Sequence, residues 1–435
     1  MRTCLLRMDP IRDTIRVCAS FFCKGRWIEM KPAALSEEKI VEMGREYRRY
    51  FHAHPEVSTK EAETSAKIFS LLEDWGLSPV RGKGHYGVAA TLKGKSEGPM
   101  IALRADMDAL SVKEETGLPF ASQNEGVMHA CGHDVHMATL LETILRLLQR
   151  RDELLGSVRL LFQPSEELSP TGGAQLMMKD GFLDGVSGIF GLHVWPSYPV
   201  GRIGIKGGPL MAASDRFRVT FKGRTAHAGH PHEGIDAIMA AADFLQEVSH
   251  IVSRRVSPLD TATINVGTIS GGSRYNVVPG SCTLEGTIRT LNETTRDHIP
   301  QWLEGLLKGL EQSAGITYEF NYFRGYPVLM NWPKPAELVR QAAQETLGKE
   351  AVMAHVEPDL TAEDFGFYLQ KVPGAFLWLG CSTPGTQAAG LHNARCCPDE
   401  KALEVGSRLM ADVAIKALAA LSSDCGFFQK EGNLS

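Results

Sequence analysis

The spacing of apolar residues divides this chain before any single motif does. From Ser36 to Tyr50 it predicts a helix, and from Thr64 to Trp75 a second, with Ala66, Ile68, Phe69, Leu71 and Leu72 as apolar positions. Between them, in Arg48-Arg-Tyr-Phe-His52-Ala-His54-Pro55-Glu56, the proline stops any helix. A strand predicted over Met100 to Arg104 runs into Asp106-Met-Asp108. Leu140, Leu141, Ile144, Leu147 and Leu148 then fit one helix face. The next strand, Val158 to Phe162, runs into Gln163-Pro164-Ser165-Glu166-Glu167, and Gly188 to Leu192 predicts a short apolar strand ending on His193. Strands alternating with helices imply an α/β fold, a mainly parallel sheet with helices on both faces, in which sites gather at the carboxyl ends of strands.

From about Ser214 the pattern changes. Phe217 to Phe221 alternates as a strand, Gly234 to Val252 reads as a helix, and Thr261 to Ile269 and Cys282 to Thr290 are two more strands. A helix over Glu293 to Gln312 and a strand over Ile316 to Tyr322 complete β-α-β-β-α-β, the order of a ferredoxin-like α+β unit. Helix and strand patterns resume with Pro335 to Leu347, Ala375 to Leu379 and Lys401 to Leu421. We therefore expect residues 213–328 to form a domain inserted into a catalytic domain made of 30–212 and 329–435.

A length of 435 residues suits roughly two or three domains. The net charge of -5 comes without blocks of one sign, which argues against nucleic acid or an anionic membrane surface as partner. Nine cysteines, an odd number without a regular framework, point to a reducing compartment, so the protein is expected to be cytoplasmic. In residues 1–29 charged side chains interrupt every apolar run, giving neither a signal peptide nor a membrane span. Those residues are expected to be a non-native or disordered extension, with Met30 as the natural start.

The richest chemistry lies in His129-Ala-Cys131-Gly-His133-Asp134-Val-His136. A thiolate and an imidazole two residues apart on a non-helical segment project to one side and suit a cation. With Glu167, His193 and His392, Cys131 and His133 make five ligands of mixed S, N and O type, too many for one open catalytic zinc and suited to two cations. Consecutive residues at a strand end point opposite ways, so Glu166 is free to act as general base on a water. Each residue has a plainer explanation: a solvated acidic pair, a core histidine at His193, a surface loop at His392. Cys131 as a nucleophile with His133 as its base is a further alternative. In the inserted unit, His227 within Gly223-Arg-Thr-Ala-His227-Ala-Gly-His230-Pro-His232 is placed to donate a hydrogen bond. Asn276 and Arg289 together would make a carboxylate clamp, although Arg289 alone reads as an exposed strand residue.

These residues resemble the aminoacylase and carboxypeptidase family of dinuclear metallohydrolases, in its branch of N-acyl-amino-acid amidohydrolases with hippurate hydrolases, auxin-conjugate hydrolases and N-acetyl-diaminopimelate deacetylases. The resemblance runs from about residue 36 to 420. It rests on the stretches at 48–56, Leu-Arg-Ala-Asp-Met-Asp-Ala-Leu (103–110), His-Ala-Cys-Gly-His-Asp (129–134), Gln-Pro-Ser-Glu-Glu (163–167), Gly-Leu-His193, Ala-His227-Ala, Asn276-Val-Val-Pro, Gly-Thr-Ile-Arg289-Thr, Ala-Glu-Asp-Phe (362–365) and Leu-His392-Asn. It implies two divalent ions (zinc, manganese, cobalt or nickel) on Cys131, His133, Glu167, His193 and His392, with Glu166 as general base and acid. It implies that His227 stabilises an oxyanion, often from the partner subunit, and that Asn276 and Arg289 hold the substrate carboxylate. It further implies a homodimer through the inserted unit and closure of that unit over the substrate. Leu168-Ser-Pro-Thr after the glutamate pair, Ser111 and Cys396 depart from the family's usual residues and leave substrate choice open. The expected activity is hydrolysis of an N-acyl amino acid to a carboxylate and a free amino acid. The alternatives are a metallo-dipeptidase or carboxypeptidase on the same site and a catalytically silent binding module.

Overall fold

The Ser36 hydroxyl accepts from the Lys39 amide at 3.3 Å and caps helix α1 (Glu37–Ala53), where the apolar periodicity begins. The computed structural model describes residues 34–386 and 388–428, with the backbone of a two-residue ladder, Phe22–Cys23 against Arg26–Trp27. The expectation for residues 1–29 otherwise falls outside the described residues.

After α2 (Ala62–Asp74) come β1 (Val80–Arg81), β2 (Val88–Lys93), β3 (Met100–Asp106), α3 (His133–Gln149), β4 (Ser157–Gln163) and β5 (Val186–Pro199). Following the inserted unit, α6 (Pro333–Leu347), β13 (Gly374–Ser382) and α7 (Lys401–Ser423) return to the same layer. With β6 (Ile203–Gly204) the strands form a seven-stranded sheet in the order β1-β2-β4-β3-β5-β13-β6. The β4-β3-β5-β13 centre is parallel and the flanking pairs are antiparallel. Side-chain parity sorts the two faces. Ile101, Leu103, Leu377 and Leu379 pack with Met43, Ile144, Val339 and Val413 of α1, α3, α6 and α7. Ala102, Phe376 and Trp378 pack with Phe365 and Tyr368 on the other side.

A ladder of β7 (Gly208–Met211) with β12 (Leu329–Asn331) precedes and follows the inserted unit. Its strands β8 (Ala213–Lys222), β9 (Ala262–Gly271), β10 (Ser281–Thr290) and β11 (Thr317–Tyr326) pair antiparallel in the order β9-β10-β8-β11. Helices α4 (Ala237–Arg254) and α5 (Glu293–Ala314) cover one face through Phe244, Ile299 and Leu303 against Phe217, Val219 and Leu284. This is the ferredoxin-like arrangement that the element order predicts. Among the described residues no helix is long and apolar enough to cross a membrane.

Two local expectations change. The strand expected to end on His193 continues to Pro199. Its register with β3 ends at Gly191, so His193 still lies level with the carboxyl end of β3. The Cys131–His133 segment is not wholly extended, because His133 is the first residue of α3.

Candidate metal centre

Gly132 joins Cys131 to α3 with φ +83°, and a Cβ there would meet Val194 Cγ2 at 2.4 Å. Only glycine satisfies both demands. The turn puts Cys131 Sγ 3.4 Å from His193 Nε2, close to the roughly 3.6 Å expected for a sulfur and a nitrogen sharing one tetrahedral cation. His193 Nδ1 donates to the Val194 carbonyl at 2.7 Å, and His133 Nδ1 to the Asp108 carbonyl at 2.8 Å. Both bonds orient the ring so that Nε2 faces the site, as in metal-ligating histidines. Despite burial, Asp106, Asp108 and Glu167 raise His133 to about 10, so a cation arriving there takes the place of a proton. His133 Nε2 is buried with no hydrogen-bond partner. Glu167 Oε1 stands 3.2 Å from His392 Nε2. His392 itself has φ +61° and is tied down by its amide, which donates to the Ala130 carbonyl at 2.8 Å.

The five expected ligands thus converge in overlapping groups: Cys131 with His133 and His193, Cys131 with Glu167 and His392, and His133 with Glu166 and Glu167. Donor type, orphaned nitrogen and spacing all fit cations. Electrostatics agree. Burial, reinforced by the charges of Glu167, Glu166 and Asp106, holds the Cys131 thiol well above its ordinary range, so it needs a cation to become the thiolate that ligates. Burial also drives His193 well below the usual imidazole value, with His136 adding to the effect.

Asp108, which the strand pattern already puts at a carboxyl end where a site gathers, has a supporting role, and so do several residues that escaped the sequence reading. His136 donates from Nδ1 to Asp106 Oδ1 at 2.6 Å and accepts the Val194 amide on Nε2 at 2.9 Å, so both nitrogens are committed and it braces β5. Arg104, fully buried, reaches Gln163 (2.9 Å), Asp106 (2.6 Å), Glu363 (2.9 Å) and Asp364 (2.9 Å). Asp108 accepts the Glu166 amide at 2.9 Å, the Glu167 amide at 3.0 Å and the Ser58 hydroxyl at 2.6 Å. The signal was present in the alternation of Asp106 and Asp108 at a strand end and in the acidic pair Glu363-Asp364.

Glu166 is buried at the floor of the site. Its turn is tighter than a strand end, since Ser165 just before it has φ +57°. Burial, then the charges of Glu363, Glu167, Asp364 and Asp108, push its carboxyl well above the usual range. The Tyr326 hydroxyl, at the end of β11, donates to the Glu166 carbonyl and links the inserted unit to this turn.

A cavity of about 450 Å³ opens over these groups. Cys131, Glu166, Glu167, His193 and His392 line one side, Trp195, Met211 and Leu391 an apolar side, and Arg289 of β10 a third. Larger clefts, about 560 Å³ beside Trp75 and about 800 Å³ between Leu259 and Trp332, contain no cluster of ligating side chains among the described residues. The half-buried Arg289 guanidinium has no hydrogen bond or ion pair among the described residues, and burial lowers its pKa. His227 and Asn276 do not line this cavity. They sit together on a ladder of Ala226–His227 with Val277–Val278, where the Ala228 amide donates to the Asn276 carbonyl at 3.1 Å. His227 is exposed, and Asn276 Oδ1 is buried without a partner.

A buried thiol, imidazoles and carboxylates, under a cavity lined by an arginine without an ion pair among the described residues, make a candidate metallohydrolase centre. The chain belongs to Peptidase family M20/M25/M40, whose model matches residues 102–416. It is 40% identical over 375 residues to an N-acetylcysteine deacetylase of Bacillus subtilis, covering 86% of this chain and 96% of that protein. To an N-acyl-L-amino acid amidohydrolase of Geobacillus stearothermophilus it is 43% identical over 286 residues, 66% and 77% of the two chains. The crystal structure of the B. subtilis YXEP protein, described as a dinuclear metal binding peptidase, superposes with a TM-score of 0.78 at 37% identity over 88% of this chain and 99% of that one. The protein is therefore a metal-dependent amidohydrolase that binds divalent metal.

Proposed function

We propose that this enzyme cleaves the amide of N-acyl amino acids, releasing a carboxylate and a free amino acid. The observation that carries the reading is Arg289, an unpaired guanidinium facing the same cavity as the ligating cluster. A buried-side cation without a partner is costly unless an anion arrives, and a planar carboxylate suits its donor fork. Asn276 joins it as the second carboxylate-binding residue. Two divalent ions, of zinc, manganese, cobalt or nickel, would be held by Cys131, His133, Glu167, His193 and His392. When bound they acidify a water and polarise the scissile carbonyl.

This chain's own residues do the rest. Glu166 takes the proton from the attacking water and returns it to the leaving nitrogen, its carboxyl held above the ordinary range by burial and the neighbouring carboxylates. His227 donates a hydrogen bond to the developing oxyanion. Because His227 and Asn276 lie away from their own cavity, we assign them to the site of a second subunit, in a homodimer formed through residues 213–328. The edge strand β9, with Ile269 exposed, and the exposed Met239 of α4 offer apolar surface for that contact. In this reading the first part of the catalytic domain is 30–212, the second 329–435, and the free cysteines among the described residues, Cys131, Cys282, Cys381, Cys396, Cys397 and Cys425, fit a reducing cytoplasm.

The test is metal content beside hydrolysis of N-acetyl and N-benzoyl amino acids and of dipeptides with a free amine, before and after chelation. About two metals per chain and chelator-sensitive release of amino acid from the N-acyl substrates are expected. Preference for the free-amine dipeptides would move the assignment to a dipeptidase, and metal-loaded protein inert on the whole panel would refute it.

A further inference from the structure

Glu61 stands at the N-cap position of α2, but its side chain does not cap the helix. Glu56 takes that role, accepting the Glu63 amide at 3.2 Å and the Thr64 amide at 2.8 Å. The Glu61 carboxylate, fully buried, reaches instead across the sheet end to Ser165, accepting its amide at 2.8 Å and its hydroxyl at 3.1 Å through one oxygen. The other oxygen is buried without a partner. Ser165 Oγ in turn accepts the Thr59 amide at 3.0 Å. Both ends of that bond are strained, with φ +57° at Ser165 and +67° at the β-branched Thr59.

The amides of three consecutive residues therefore all point into buried carboxylates: Ser165 into Glu61, Glu166 into one oxygen of Asp108, and Glu167 into the other. We infer that Glu61 is a positioning residue: it locks Ser165 in its left-handed conformation so that Glu166 and Glu167 leave the turn toward the water and toward His392 respectively. Burial, aided by the charge of Asp108 and opposed by the hydrogen bonds it accepts, raises Glu61 to about 7. A carboxylate so poorly solvated is a costly way to brace a loop, and a function that needs the turn held in one geometry accounts for its place there.

The inference rests on the roles given above to Glu166 and Glu167, and the test separates the two. Metal-loaded wild type, Glu61→Ala and Glu61→Gln are compared for kcat, KM, thermal unfolding and chelator-driven metal release, the last needing no substrate. Glu61→Ala is expected to lower kcat at least about tenfold with KM little changed, and to release its first metal at about 10- to 100-fold lower chelator, the range for residues that orient ligands. Glu61→Gln keeps an acceptor for the Ser165 amide and should recover most of both. Wild-type kcat and an unshifted chelator curve in Glu61→Ala would overturn the inference. So would equal losses in Ala and Gln that track thermal stability alone. If Glu61→Ala does not fold, Ser165→Gly takes its place: glycine tolerates the left-handed backbone but removes the whole hydroxymethyl group, losing the bonds to Glu61 and the Thr59 amide and freeing the backbone that Glu61 would lock. Earlier metal release and a severalfold lower kcat are expected, and no change in either refutes the inference. Wild type inactive on N-acyl amino acids, with the chelator shift still present, would sink the substrate reading and leave the role of Glu61 standing.

Discussion

Arg289 offers a test in which stability and activity move in different directions. It lines the cavity from β10, is half-buried, and has no hydrogen bond or ion pair among the described residues. A hydrogen bond to a charged group contributes about 1.5–3 kcal/mol, so losing the clamp on a carboxylate should cost roughly 10- to 150-fold in kcat/KM. Binding outside the reacting bond is lost from ground state and transition state alike, so most of the change should appear in KM. The same side chain contributes little to folding, because burial of its charge outweighs the attraction of Asp215, with which it makes no ion pair. Arg289→Met keeps the apolar stem and removes the charge, so Tm should hold or rise. Arg289→Lys should recover only part of the loss, since a point charge lacks the planar fork. The assays are steady-state kinetics on an N-acyl amino acid and on the same compound with its carboxylate amidated, beside thermal unfolding. The amidated compound should be a poor substrate for wild type and should lose little further activity in Arg289→Met. If kcat/KM for the free acid stays within about twofold of wild type, or if the variant loses Tm along with activity, Arg289 is a framework residue and the carboxylate clamp is wrong.

Glu166→Gln should lower kcat by about 10²- to 10⁴-fold with metal content unchanged by elemental analysis; loss of metal would make Glu166 a ligand instead. Cys131→Ala should lose metal, read as stoichiometry after dialysis, and full retention would return Cys131 to the role of a core thiol. Asp215 anchors the base of the inserted unit, accepting from Arg296 at 2.9 and 2.7 Å, the Tyr322 hydroxyl at 2.6 Å and the Gly325 amide at 2.7 Å. Asp215→Asn should cost about 1.5–3 kcal/mol in denaturant unfolding, because it removes the charge from the bonds to Arg296, which keeps Glu293 at 3.1 Å as its remaining anion. Burial raises the Asp215 pKa, but Arg296, Tyr322 and Gly325 outweigh it and hold the folded value below the ordinary one. That stabilisation is therefore full above about pH 4 and fades as pH falls through the folded pKa, so wild type and variant should converge in acid.

The centre of the fold was legible because buried strands and amphipathic helices leave strong periods. Ile101 and Leu103 against Ala102, or Phe376 against Leu377, already carry the two faces of the sheet. Its margins were not. Val80–Arg81 and Ile203–Gly204 are too short for any period to emerge. The second half of β5 contains Pro196 and Pro199, which sequence reasoning takes as a stop. It continues because there it pairs with β13 alone, across an irregular register between Gly380 and Ser382 that a residue without an N–H can occupy. At the site, side chains with strong intrinsic chemistry stood out in the sequence, and those that matter through hydrogen bonds did not. Asp106, His136 and Glu61 are ordinary polar residues until the fold supplies distant partners: Asp106 and His136, bonded to each other, are 30 positions apart, and Glu61 and Ser165 are 104 apart.

The separation of His227 and Asn276 from the cavity leads to the sharpest test of assembly. In one chain Cys131, Glu167, His193, His392, Glu166 and Arg289 share a cavity, while His227, paired with Val277, and the adjacent Asn276 lie outside it. Either the inserted unit swings until its own His227 arrives, or a second chain supplies that histidine across a two-fold axis. The two routes differ in what mixing can restore. In a symmetric dimer with crossed histidines, a heterodimer of Glu166→Gln and His227→Ala has one site carrying both defects and one carrying neither. Random reassociation makes about half the dimers mixed, so about a quarter of wild-type sites should return from two inactive parents. If His227 serves its own chain, every site keeps one defect and mixing restores nothing. Equal amounts of the two variants, unfolded together, refolded with metal and assayed on an N-acyl amino acid, decide between the routes. Wild type carried through the same cycle sets the scale, so activity at the level of the parents rules out the crossed arrangement and leaves closure of the unit over its own cavity as the route for His227.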